Sequence, residues 1–173
     1  MASSLTPILL AKPLPDLGGK TALARVIESC RDAALSRPIV VLGSGTEAGK
    51  PPLPGVLTAP SLREGLELLP ADARGFLLFP AEYPLVTWRE LVLLEERFEH
   101  DHRHRIYVPT FEGRHGHPVA FDRSLAGEIL ALEADQPVRL VLRRDPARVM
   151  EVPVENPWVC RALDTPENLA HTP

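Results

Sequence analysis

The stretch ILLAKPLPDLGGKTALARV, Ile8 to Val26, runs from an apolar strand-like segment through a loop punctuated by proline and glycine into an amphipathic helix. TPILLA (Thr6 to Ala11) reads as a first strand. After Thr21, the apolar residues Leu23, Val26, Ile27, Cys30 and Ala34 recur at helical spacing on one predicted face. A strand that feeds a helix through a short loop is the unit from which parallel sheets are wound.

The same alternation continues along the chain. RPIVVLGS (Arg37 to Ser44) is a β-branched run ending in a loop, and PGVLTAP reads as a shorter strand. AGKPPLPG (Ala48 to Gly55), lying between them, forbids regular structure. Ser61 and Glu64 form a capping box for a helix that buries Leu62, Leu66 and Leu69. RGFLLFP (Arg74 to Pro80) is the most apolar short run and so the candidate central strand. A second box, Thr87 and Glu90, opens a helix expected to turn Trp88, Leu91, Val92 and Phe98 inward. HRIYVPT and HPVAFDRS read as a strand pair across a loop, SLAGEILALE and PVRLVLRRDP as helices, and RVMEVPVE as a late strand. DTPENLA reads as a capped C-terminal turn with Pro166 at the first helical position. The pattern predicts one α/β domain over residues 1–173 with a mostly parallel sheet flanked by helices.

Composition narrows the function classes. A chain of 173 residues, 45% hydrophobic, supports one sizeable core. A net charge of -4 supplies no global basic field for nucleic acid, although a local cationic pocket stays open. No apolar run approaches the roughly 18 residues that span a bilayer, and the N-terminus lacks the pattern of a secretory signal, so a cytoplasmic location with no membrane contact is expected. Cys30 and Cys160 sit far apart in apolar settings and read as buried thiols rather than a disulfide framework.

Three stretches, in the right order, resemble one family. GRHGHPVAFDRSL (Gly113 to Leu125) is similar to the GxRGHPxLFxRxL block of the molybdenum-cofactor cytidylyltransferases, a group of MobA-like NTP transferases. PAEYPLVTWREL (Pro80 to Leu91) resembles their GDQPLVTxxxL, and ALDTPENLA (Ala162 to Ala170) their DIDTPEDLA. The resemblance implies a Rossmann-like three-layer nucleotidyltransferase fold and a magnesium-dependent reaction. In that reaction a phosphate on a pterin attacks the α-phosphorus of CTP or a related nucleoside triphosphate and releases pyrophosphate. Such a site needs backbone N–H groups, cationic side chains and a carboxylate-held metal around the polyanion.

Set against that family, the opening stretch is a remnant. The family's GxSxRMG phosphate loop is absent, while a strand and a later LxxLGGKTAL remain. Lys12 or Lys20 is expected to stand in for the family's lysine, with the choice open, and Pro13 and Pro15 each remove an N–H donor. Loss of oxyanion donors costs on the order of 10²-fold in rate each, so impaired catalysis is expected. Glu82 takes the place of the family's metal-binding Asp with a longer side chain, and Ala162 replaces the first Asp of DID. Asp164 remains, as a metal ligand or as a helix-capping residue. In GRHGHP, Gly113 and Gly116 allow close backbone approach, and Arg114, His115 and His117 offer donors to an acceptor pocket. A non-catalytic binding relative that keeps the fold and that pocket is the alternative, with a protein partner or homodimer left open. The alternating His100, His102 and His104 suit a metal pair by spacing, but their many charged neighbours predict an exposed connector.

Overall fold

Strand β1 (Leu5–Ala11) is apolar on both faces, as a strand covered by helices on both sides must be. The computed structural model describes residues 3–14, 20–43, 54–133 and 136–164. Thr21 caps helix α1 (Ala22–Asp32) by accepting a hydrogen bond from the Ala24 amide. Strands β2 (Ile39–Leu42) and β3 (Leu57–Ala59) follow, then α2 (Leu62–Glu67), capped by Ser61. Strand β4 (Gly75–Pro80) leads to α3 (Trp88–His100), which carries the full Thr87–Glu90 capping box. Strands β5 (Ile106–Phe111), β6 (Arg114–His115) and β7 (Val119–Asp122) form the next group. Helices α4 (Ala126–Leu130) and α5 (Arg139–Arg144) and strand β8 (Val149–Pro153) complete the regular elements.

The eight strands form one sheet in the order β3-β2-β1-β4-β7-β5, with β6 and β8 also paired to β5. Strands β1 to β4 pair in parallel, as do β5 and β8, whereas β7 is antiparallel to both β4 and β5. Because β8 pairs with β5 from Ile106 through Thr110, β6 and β7 share the opposite edge of β5. The expected pair HRIYVPT and HPVAFDRS meets here, Ile106 opposite Phe121 and Tyr107 opposite Ala120.

Alternation along each strand sends side chains into two separate cores. Leu9, Leu77, Phe79 and Tyr107 pack with Val26, Ile27 and Cys30 of α1 and Leu91, Leu94 and Phe98 of α3. Ile8, Phe76, Leu78 and Val108 pack on the other face with Leu66, Ile129 and Val141 from α2, α4 and α5. Each fully buried aromatic on β4 contributes roughly 1.5–3 kcal/mol. Gly75 is needed where β4 starts, because a Cβ would lie 2.5 Å from both the Phe121 carbonyl oxygen and the Phe98 ring.

Two packing expectations are corrected. Trp88, the first residue of α3, is 43% exposed, and Arg89 stacks over its ring. Ala34 falls past the end of α1 with φ 54 and is exposed, and Ala33 takes the buried position. The excursion at 48–53 and the C-terminal turn from 165 onward lie outside the described residues.

Candidate functional site

Register alone brings two of the expected residues together. Leu10 of β1 lies opposite Pro80 of β4, so Lys12 and Glu82 each stand two residues further along neighbouring parallel strands. The Leu163 amide donates to the Glu82 carbonyl oxygen at 2.7 Å, which sets Asp164 beside them. The Lys12 Nζ consequently lies 3.0 Å from Glu82 Oε2 and 3.1 Å from Asp164 Oδ2. The three side chains are 40%, 21% and 35% exposed, so they lie partly open to solvent and are not sealed in the core. Partial burial works against the Lys12 ammonium, but hydrogen bonds and attraction from Glu82 and Asp164 outweigh it and hold its pKa above the ordinary lysine value.

Lys20 is not part of this group. Its Nζ binds Glu28 of α1 at 2.9 and 3.0 Å on an open surface. Of the two lysines left open by the sequence, Lys12 is therefore the one gathered with the carboxylates. Pro13 follows it directly, while Pro15 and the rest of the loop through residue 19 lie outside the described residues.

The second group is built by the hairpin. Glu112 and Gly113 take left-handed φ values of 50 and 75, which reverse the chain into β6. The Gly116 amide donates to the Pro109 carbonyl oxygen and the His117 amide to the Val159 carbonyl oxygen, both at 2.8 Å. A Cβ on Gly116 would lie 2.6 Å from that Val159 oxygen, so the close approach this glycine permits is to the protein's own backbone. The peptide between His117 and Pro118 is cis. The ring of His117 lies 4.6 Å from that of Tyr83, the neighbour of Glu82, tilted by 40°. Burial pushes the His117 imidazole down to about 4, so it is neutral at pH 7, and its Nδ1 has no hydrogen-bond partner among the described residues. Burial, followed by the nearby Glu82 and Asp164 charges, raises the Tyr83 phenol to about 12.

His115, Gly116 and His117 line a cavity of about 590 Å³ on the α5 side of the sheet. Its floor is apolar, with Leu78, Val108 and Phe121 from the strands and Leu142 from α5. His115 Nε2 meets Glu151 at 2.7 Å on the rim, whereas Arg114 is exposed on the outer edge and is not among the lining residues. The rim also carries Arg139 and Arg143, four residues apart on α5, and neither forms an ion pair among the described residues. Their helix is braced from behind, since Arg148 makes a two-pronged contact to Glu128 of α4 at 2.6 and 2.9 Å and donates to the Val141 carbonyl oxygen at 3.1 Å. The i, i+4 spacing within VRLVLRR was the available signal for this pair, and Arg143 falls in the run LRRDPARVMEVPVENP that follows the family's Arg-rich helix and late strand.

The residues around Glu82 do not fit a divalent ion as they stand. Among the described residues no group of three or more His, Cys, Asp or Glu side chains could hold a metal, and the two carboxylates that do converge are already bridged by an ammonium. The histidine run is likewise no cluster: His100 Nδ1 meets the Glu96 carbonyl oxygen and His104 Nδ1 meets Asp101. No helix among the described residues is long and apolar enough to cross a membrane.

A sequence model of the MobA-like NTP transferase domain matches residues 10–149. A search of curated proteins found no match. Among solved structures, Rv0371c from Mycobacterium tuberculosis H37Rv aligns with TM-score 0.81 and 22% identity over 98% of this chain and 97% of that one. The manganese complex of the same protein aligns with TM-score 0.81 and 23% identity over 98% and 97%. The 2-C-methyl-D-erythritol 4-phosphate cytidylyltransferase of Thermus thermophilus aligns with TM-score 0.70 and 20% identity over 98% and 96%.

Proposed function

We propose, from the premise that this chain belongs to the MobA-like NTP transferase domain family, that it holds a phosphorylated pterin-type acceptor in the cavity and carries out nucleotidyl transfer to it with impaired catalysis. The observation that carries this reading is the cavity of about 590 Å³, apolar below and bearing on its rim two guanidinium groups that form no ion pair among the described residues. A flat ring system suits the apolar floor, and the fork of an arginine suits a phosphate. His117, neutral at pH 7 and among the residues lining the cavity, is the side chain we assign to the edge of the ring.

In the reaction, an oxygen of the acceptor phosphate bonds to the α-phosphorus of the nucleoside triphosphate while the bond to the β-phosphate oxygen breaks, and pyrophosphate leaves. An ionised phosphate is already a nucleophile, so no side chain has to remove a proton. Arg139 and Arg143 orient the attacking group, which is where much of the rate in such transfers arises. Impairment follows from the other side. One ammonium against two carboxylates leaves the Lys12 cluster net negative, which gives no net attraction to a triphosphate. The manganese-bound Mycobacterium relative supports divalent-ion use elsewhere in this fold, but no step is assigned to a metal here.

The test is pyrophosphate release with CTP, GTP, ATP or UTP, with and without a phosphorylated pterin. Slow release that requires the pterin is expected. The same net-negative cluster favours a second reading, a binding protein without chemistry, in which the pterin binds saturably and no pyrophosphate appears. If neither binding nor release occurs, both readings are lost.

A further inference from the structure

We propose that Lys12 is the resident cation of the Glu82–Asp164 pair and that, with Lys12 present, this pair does not take up a divalent ion. A carboxylate pair such as Glu82 and Asp164 needs positive charge when its members approach each other, since like charges brought together raise the energy of both ionised forms. Here that charge is covalently attached. Lys12 and Glu82 each stand two residues past the last register pair of β1 and β4, Leu10 opposite Pro80, and the Lys12 Nζ reaches an oxygen of each acid at 3.0 and 3.1 Å. A lysine needs no uptake from solution, and the strand ends hold the base of its side chain at the right place. A metal ion binding the same two oxygens must first displace the ammonium and then remain next to it.

The cost to a metal is therefore twofold. The ammonium blocks the space between the acids, and once displaced it still repels a divalent ion a few ångströms away. Magnesium and manganese are held by compact sets of oxygen ligands, which these two acids supply only after Lys12 has moved. The charge balance at the ends of β1 and β4 does not depend on what the cavity binds.

The experiment is a titration of the protein with manganese alone, in the absence of nucleotide and pterin, followed by the paramagnetic resonance signal of free manganese and by calorimetry. The intact protein is expected to show no saturable site that depends on Glu82. Lys12→Ala and Lys12→Gln are each expected to gain one saturable manganese site, at least about tenfold tighter than any residual binding by the intact protein. That gained site disappears again in the double variant Lys12→Ala, Glu82→Ala. The proposal is overturned if the intact protein binds one manganese ion that Glu82→Ala abolishes, or if neither Lys12 variant gains a site. Because no pterin or nucleotide is present, failure here leaves the acceptor reading standing, and failure of the acceptor reading leaves this one standing.

Discussion

The two charged regions of this molecule handle their cations in opposite ways. At the ends of β1 and β4, the ammonium of Lys12 is satisfied by Glu82 and Asp164. On the cavity rim, Arg139 and Arg143 face an apolar hollow with no ion-pair partner among the described residues. A cation already paired has little left to give an incoming anion, whereas an unpaired one, mounted on a braced helix beside an apolar floor, is ready for a ligand. On the proposed reading, the cavity rim is the part suited to recognise an anion, and the Lys12 cluster is the weaker of the two.

The sharpest way to break this contrast is to remove the two guanidinium groups of the cavity rim. Replacing Arg139 and Arg143 together by alanine is expected to weaken binding of a phosphorylated pterin by about 100-fold or more in calorimetry, since charge-assisted contacts contribute roughly 1.5–3 kcal/mol each. Lys12→Ala in the same assay should change pterin affinity by less than about threefold, consistent with its place outside the cavity lining. Equal losses from both variants would erase the distinction between the regions.

Gly116→Ala tests how the cavity wall is built. A methyl group 2.6 Å from the Val159 carbonyl oxygen forces the hairpin off its neighbour, and a loss of about 2–4 kcal/mol in urea unfolding is expected. Gly113→Ala is strained by φ 75 but meets no atom within 4 Å, so it should cost less, on the order of 1 kcal/mol.

A pH series sharpens the picture of His117. Its folded-state pKa, about 4, lies below the ordinary histidine value of 6.5, so the unfolded chain binds the proton more readily. Stability is then unaffected above pH 6.5, falls as pH drops from 6.5 towards 4, and loses up to roughly 3 kcal/mol from this group. Comparison with His117→Phe, which lacks the titrating ring, isolates the effect. A wild-type curve parallel to that of the variant across this window would show that the imidazole is not buried as described. The smallest expected effect is that of Lys12→Ala on stability, under about 1 kcal/mol in chemical unfolding, because the ion pairs are solvent-exposed and screened.

The sheet and the helices were legible in the sequence because strong local signals agree with the global fold. The Thr87–Glu90 box, the apolar run of β4 and the β-branched run of β2 each point to the element that forms. Trp88 misled because helical periodicity says which residues share a face but not whether the first residue of the helix is covered by the rest of the fold. At the site, Glu82 and Asp164 could be singled out from the family blocks, yet that they meet on Lys12 follows from the strand register of Leu10 against Pro80, which sequence does not display. Gly116 could be recognised as a close-approach residue, but its neighbour, Val159, lies more than forty positions away. Arg139 and Arg143 escaped notice because a basic pair on a short helix usually marks a solvated face. Only the folded chain shows that this face closes a cavity.

A pair of melting curves tests most directly whether the acceptor side, and not the triphosphate side, holds the anion. One is recorded with saturating phosphorylated pterin alone, and the other with CTP and magnesium alone. A clear rise in Tm is expected with the pterin, equivalent to about 2.7 kcal/mol at a concentration 100 times the Kd, and a much smaller shift with the nucleotide. A large rise with CTP and magnesium together with an unmoved curve in pterin would contradict that assignment.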